Sequence, residues 1–128
     1  MSFSYTVKTS KSIEKVIDDI TSNLSEIKFG VLGTLDFKEI FQKKGVEFDK
    51  NYKLLEVCNP ITAKQVLDSN PELGLLLPCT IAVYEKNGET YVSLAKPTSL
   101  LSISSDTQLT NLGEEIESKL IQAIEKAK

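Results

Sequence analysis

The sequence predicts an α+β fold, with one mainly antiparallel sheet of about five strands and about four helices packed on it. Two observations support this prediction. Segments in which apolar residues alternate with a period of two take turns along the chain with segments of helical periodicity. In the second half, two strand-like segments flank Asn87-Gly88, the dipeptide preferred in the tight turn of an antiparallel hairpin. The chain has no repeat, linker or low-complexity run, so residues 1–128 are expected to form a single domain.

Periodicity predicts the first three elements. Ser2 to Lys8 alternates and places Phe3, Tyr5 and Val7 on one face of a strand. Ser10 or Ser12 can cap the helix that follows, whose single apolar stripe comprises Ile13, Val16, Ile17, Ile20, Leu24 and Ile27. A second strand is expected where apolar residues keep a period of two, with Gly33 in step as a bulge or a close packing point: Phe29, Val31, Leu35 and Phe37.

Capping residues delimit the helices in the middle of the chain. Asp36 and Glu39 have the spacing of a capping box and predict a short helix that ends near Gly45. Tyr52 to Cys58 has apolar residues on both faces, which favours a central strand. Asn59-Pro60 is typical of a helix start, and Asn70-Pro71 is expected to end that helix. Its packed face is predicted to consist of Ala63, Val66 and Leu67.

A hairpin and a long helix complete the predicted fold. In a tight turn between Thr80–Lys86 and Glu89–Lys96, Val83 faces Val92 and Ile81 faces Leu94 on the core side, while Tyr84 faces Tyr91 on the other side. The Ser-rich stretch after Pro97 is interpreted as an ordered connection. Ser105 and Gln108 predict a second capping box, after which a helix runs to near Lys128.

Composition excludes several classes of chemistry. The chain has no His and no Trp, and all 15 basic residues are Lys. A Ser-His-Asp or Cys-His nucleophile system, an arginine finger and a zinc site with a His ligand are therefore impossible within one chain. The net charge is −3, and the lysines are scattered rather than gathered in a basic stripe. Nucleic-acid binding is therefore not expected.

The sequence also predicts a location. Met1 to Ser12 lacks the apolar core of a signal peptide. The longest apolar stretch, Leu73 to Val83, is broken by Gly74 and Pro78 and falls short of the roughly 20 residues that a membrane helix needs. We therefore expect a cytoplasmic protein with no membrane partner, in which both cysteines are thiols.

Two short segments could form a site: Cys58-Asn59-Pro60 and Leu77-Pro78-Cys79. Cys58 directly precedes the cap of a predicted helix, where the helix dipole and unpaired N–H groups favour a thiolate. The alternative is that both cysteines are packed core residues. Glu56, on the same strand face as Cys58, is either a base or ligand beside the thiol or a rim residue exposed to water. Two thiolates and one carboxylate are fewer than the four ligands of a structural zinc site, so no metal or cofactor is expected.

These segments also carry a family resemblance. The run from Tyr52 to Pro60, the run from Pro71 to Cys79 and the strand residues Val83-Tyr84-Glu85 resemble the domain-of-unknown-function family numbered 302. The resemblance covers essentially the whole chain. It implies a small, compact α+β protein of bacteria or archaea, dimeric, and it implies no activity.

The first functional hypothesis is a ligand-binding or thiol-handling module. Its site would consist of Glu56, Cys58, Asn59, Pro60, Pro78 and Cys79. It requires the two thiols to approach each other. They would lie at opposite ends of the sheet if the third and fourth strands were parallel neighbours, and they could meet if Pro71 to Leu77 returned along the sheet in extended form.

The second hypothesis is a non-enzymatic homodimeric interaction domain whose cysteines are only core residues. Its interface would use the Leu75-Leu76-Leu77 run and the Leu100-Leu101 pair, unless both belong to the core. A third and weaker idea is an enzyme that uses Lys or carboxylates, for which the sequence shows no constellation.

Overall fold

The structure is a computed structural model that describes residues 3–103 and 107–128. Within these residues the strands are β1 (Ser4–Thr9), β2 (Gly30–Asp36), β3 (Tyr52–Cys58), β4 (Cys79–Lys86) and β5 (Glu89–Ala95). The helices are α1 (Ile13–Glu26), α2 (Phe37–Lys43), α3 (Pro60–Ser69), α4 (Pro97–Leu101) and α5 (Thr107–Ala127), and a 3₁₀ helix spans Pro71–Leu76. The five strands form one sheet in the order β1-β5-β4-β3-β2, and every neighbouring pair is antiparallel. The predicted α+β fold class is confirmed.

Helices α1 and α5 cover one side of the sheet, which we call the helix face. Their apolar stripes pack on the inward residues of the three middle strands, and the fully buried side chains of this core include Ile20, Leu24, Leu120, Ile124, Leu55, Val57, Ile81, Val83, Val92 and Leu94. Because side chains alternate along a strand, the residues between these point to the opposite side. That side, the second face, carries Leu54, Glu56, Tyr84 and Tyr91.

The β4–β5 hairpin has the predicted turn and register. Asn87 and Gly88 both have positive φ angles, of 54° and 78°, as a type I′ turn requires. Val83 pairs with Val92 and Ile81 pairs with Leu94 in the core. Tyr84 lies directly opposite Tyr91 on the second face. Local turn chemistry therefore sets the register of this pair of strands.

Two strand predictions were wrong in detail. In β2 the register shifts between Val31 and Gly33, so the bulge at Gly33 is real and interrupts the alternation. Val31 pairs with Val57 on the helix face, whereas Leu35 pairs with Leu54 on the second face and is 38% exposed. Phe37 begins α2 instead of continuing the strand. In the first strand, Phe3 precedes β1 and is 75% exposed, whereas Tyr5 and Val7 contact the main core.

Polar caps begin the helices as expected. The Lys15 N–H donates to Ser12 Oγ over 3.1 Å, and the Glu39 N–H donates to Asp36 Oδ1 over 3.2 Å. Gly45, with φ of 72°, follows the end of α2.

The structure differs from the sequence prediction in α3 and adds a short helix after β5. Val66 is the one buried residue among those described in helix α3 and Leu67 is 42% exposed, because the helix packs on the small cluster of Val66, Leu73 and Leu109 rather than on the main core. The Ser-rich connection contains the short helix α4. Ser105, the first residue of the second predicted capping box, lies outside the described residues.

Candidate functional site

The two cysteine segments meet at one end of the sheet. β3 and β4 are antiparallel neighbours, and Val57 pairs directly with Cys79. Cys58, the last residue of β3, therefore lies near Cys79, the first residue of β4. The connection between them is α3 followed by the 3₁₀ helix. Neither arrangement considered from the sequence is correct, because the strands are not parallel and the return of the chain is helical rather than extended.

The thiols nevertheless point to different sides of the sheet. Residues directly opposite each other in an antiparallel pair share a face, so Cys79 shares the helix face with Val57 and packs against the main core. Cys58 follows Val57 and faces the opposite way, with Leu54 and Glu56. Both cysteines are free thiols. This geometry places the two side chains in different environments, one on each face of the sheet.

Burial makes both thiols weak acids. It raises the pKa of Cys58, and it raises the pKa of Cys79 to about 11, with a further contribution from the neighbouring Cys58. The start of α3 does not reverse this effect, because Asn59 Oδ1 already accepts hydrogen bonds from the N–H groups of Ile61 and Thr62. Burial is therefore the cause of the raised pKa of Cys58. That Cys58 is the more reactive of the two thiols stays a prediction.

Beside these segments, the second face contains an open cavity of about 310 Å³ that we call the leucine groove. Its floor is formed by Leu54, Glu56 and Thr80, and its walls are formed by Leu35, Leu75, Leu76, Leu77, Pro78 and Leu100. Glu56 is half-buried between Gly33 of β2 and Thr80 of β4. Of the predicted site residues, Glu56 and Pro78 line this groove, whereas Cys58, Asn59, Pro60 and Cys79 do not.

The two Leu-rich stretches divide between core and groove. Leu101 is buried, and Leu76 and Leu77 pack partly against a small cluster of Val66, Leu73 and Leu109. Leu75 points outward and is 87% exposed at the edge of the groove. The sequence pattern indicates the two Leu-rich stretches. It does not show that they meet Leu35 and Leu54, because the bulge in β2 reverses the face of the sheet on which Leu35 lies.

A row of aromatic rings also crosses the second face. The rings of Tyr52 and Tyr84 stack with centroids 5.3 Å apart and planes at 19°, and Tyr84 stacks on Tyr91 at 5.8 Å and 15°. Phe37 meets Tyr52 edge-on, and the row continues through Phe41 to Phe48. Only the Tyr84–Tyr91 pair was predicted, because the pairing of β3 with β4 cannot be read from local patterns.

Among the described residues, no three Cys, Asp or Glu side chains come together in a way that could hold a metal ion. No helix in the described part of the chain has the length and apolar character needed to cross a membrane.

Comparison with known proteins places the chain in a family. None of the curated proteins matches it. It is similar to a solved structure, the crystal structure of an uncharacterised conserved DUF302 protein from Bacillus stearothermophilus, at 34% sequence identity, with all of both chains covered and a TM-score of 0.94. The family model described as "Domain of unknown function DUF302" matches residues 5–127. The chain therefore belongs to the DUF302 family, as the Cys-Asn-Pro and Leu-Pro-Cys segments predicted.

Proposed function

We propose that this protein is a non-enzymatic interaction domain that forms a symmetric homodimer through the leucine groove. One observation carries the proposal. Both Leu-rich connections contribute side chains to the walls of the same groove on the second face. The side chain of Leu75 is 87% exposed at its edge. A protruding apolar side chain next to a groove with mainly apolar walls is the combination that a two-fold interface needs.

The energetics favour a partner for this surface. Burying a leucine side chain contributes about 1.5–3 kcal/mol, and contiguous exposed apolar patches usually mark interaction sites. In a two-fold dimer Leu75 of each protomer fills the groove of the other, so the contribution is made twice. The half-exposed Leu35 extends the same patch along β2.

The thiols support this function over thiol handling. A thiol-handling site needs a thiolate that is open to its reaction partner. Burial raises the pKa of both cysteines, and neither lines the groove. We place the dimer in the cytoplasm, where two free thiols that do not form a disulfide remain reduced.

The test is the mass in solution of two matched variants. Wild-type protein should have twice the 14.2 kDa chain mass by light scattering. Leu75→Asp places a charge in the interface twice and should weaken the dimer by about a hundredfold or more. Ile61→Asp makes the same change on α3 at a residue that is 73% exposed and outside the groove, so it should remain dimeric.

Three outcomes would contradict the proposal. They are a wild-type protein that stays at 14.2 kDa at all working concentrations, a Leu75→Asp variant that stays dimeric, and equal dissociation of both variants. Circular dichroism should show both variants folded, because each substituted side chain is already exposed. A monomeric wild type would turn attention to small apolar ligands as occupants of the groove.

A further inference from the structure

A second cavity lies on the same face as the leucine groove, beside the β4–β5 turn. Its volume is about 600 Å³, within the range of roughly 300–1,000 Å³ that is usual for small-molecule sites. We call it the aromatic cavity because Phe48, Tyr52 and Tyr84 contribute rings to its wall. Tyr52 begins β3 and Cys58 ends it, so the cavity is about 20 Å from the cysteine end of the sheet.

The rings of this cavity are held in place before any ligand arrives. Tyr52 and Tyr84 lie in register on neighbouring strands and stack on each other. Phe48 is fixed by an edge-to-face contact with Phe41, at 4.9 Å between centroids and 89° between planes. Pre-ordered rings lose little entropy on binding a flat partner, and ring pairs contribute energy beyond their buried area. Because Tyr84 already stacks on both Tyr52 and Tyr91, the wall is suited to an aromatic ligand that meets ring edges rather than the faces of Tyr84.

Two ammonium groups give the cavity a charge preference. Lys50 and Lys86 line it, and within residues 3–103 and 107–128 neither forms an ion pair. Lys86 Nζ lies 6.0 Å from the ring centroid of Tyr91. Glu85 is the one carboxylate among the described residues of the lining, and it accepts a hydrogen bond from the side-chain amide of Asn51. Two cations against one engaged carboxylate favour an anion over a cation.

We propose that the aromatic cavity is a binding site for a planar aromatic carboxylate. The ring of the ligand packs against Phe48, Tyr52 and Tyr84, and its carboxylate accepts hydrogen bonds from Lys50 and Lys86. Because charge-assisted hydrogen bonds are stronger than neutral ones, the lysines select the carboxylate over an uncharged analogue of the same shape. This site does not depend on the dimer, since it shares no lining residue with the leucine groove.

Naphthoate is a suitable probe, and an NMR titration of backbone amides is a suitable assay. Saturable shifts are expected around Tyr52, Tyr84 and Asn87. Replacing both lysines, as Lys50→Met with Lys86→Met, should weaken binding by about tenfold or more. Lys64→Met removes one positive charge on α3, far from the cavity, and should leave the affinity unchanged. The uncharged analogue naphthamide should bind wild-type protein more weakly than naphthoate does, and the double variant should not distinguish the two.

The proposal is overturned if naphthoate gives no saturable shifts at millimolar concentration, or if the shifts map to another surface. It is also overturned if the double variant binds naphthoate as tightly as wild type. Both lysines are exposed, so the unligated spectrum of the double variant should match that of a folded protein. The Leu75→Asp variant should retain naphthoate binding, which separates the outcome of this test from that of the dimer.

Discussion

The Cys79 thiol is expected to react very slowly in the folded protein. Its reactivity decides whether the folded protein can use this thiol in chemistry. Its side chain is partly buried against the main core at the start of β4, and burial raises its pKa from 9.0 to about 11. Only the thiolate reacts with alkylating agents. At neutral pH the thiolate fraction is therefore about a hundredfold lower than for an unperturbed cysteine, before steric protection is counted.

Single-cysteine variants measure this directly. Cys58→Ser retains only Cys79, and Cys79→Ser retains only Cys58. Each protein is exposed to iodoacetamide in short pulses from neutral to alkaline pH, and modification is followed by mass spectrometry. We expect Cys79 to react at least about a hundredfold more slowly than a model cysteine peptide at neutral pH. Cys58 should react faster than Cys79, because burial raises its pKa as well but without a second thiol adding to the effect.

The same pKa predicts a pH dependence of stability. The pKa of Cys79 is raised in the folded state, so folding favours the neutral thiol. The resulting stabilisation is fully present below the unfolded pKa and is lost as pH rises through the folded pKa, from 9.0 to about 11. Up to about 3 kcal/mol should be lost in this window, and Cys79→Ala should not show that loss. Urea unfolding of both proteins across the window measures the difference.

Two results would show that Cys79 is not a buried, weakly acidic thiol. One is alkylation of the protein that retains only Cys79 at a rate near that of the model peptide, at a neutral pH where it is folded. The other is a free energy of unfolding whose alkaline dependence is the same in wild type and Cys79→Ala.

Two further predictions concern local structure. Asn59→Ala removes the acceptor for two N–H groups of α3 and should lower the free energy of unfolding in urea by about 1 kcal/mol. Asn59→Asp keeps an acceptor at this position and should retain most of the wild-type stability. An unchanged urea midpoint for Asn59→Ala would contradict the capping role. Gly88→Ala places a side chain on a residue with φ of 78°. This change should lower the free energy of unfolding by about 1–2 kcal/mol, measured by thermal unfolding. Gly30→Ala, where an added Cβ meets no atom within 4 Å, is the matched control and should change little; equal stability of the two variants would argue against strain at the turn.

The sequence predicts the local parts of the candidate site, but not the contacts between distant segments. Cys58, Asn59 and Pro60 were correctly placed at the junction of a strand and a helix, since an Asn cap and a Pro at the first helical position act within a few residues. The sequence also indicates the two Leu-rich stretches as candidate interface segments. Their convergence on Leu35 and Leu54 was not foreseen, because the bulge in β2 reverses which face Leu35 occupies.

Sequence alone determined those features whose interactions are local. The Asn87-Gly88 turn set the register of β4 and β5, and Ser12 and Asp36 marked the helix starts, because each of these acts on backbone within about four residues. Tertiary structure decided the features that join distant segments. The pairing of β3 with β4 stacks Tyr52 on Tyr84 and brings both cysteines to one end of the sheet. Strand order and register between distant segments depend on how much apolar surface the whole chain buries, and no short stretch of sequence contains that information.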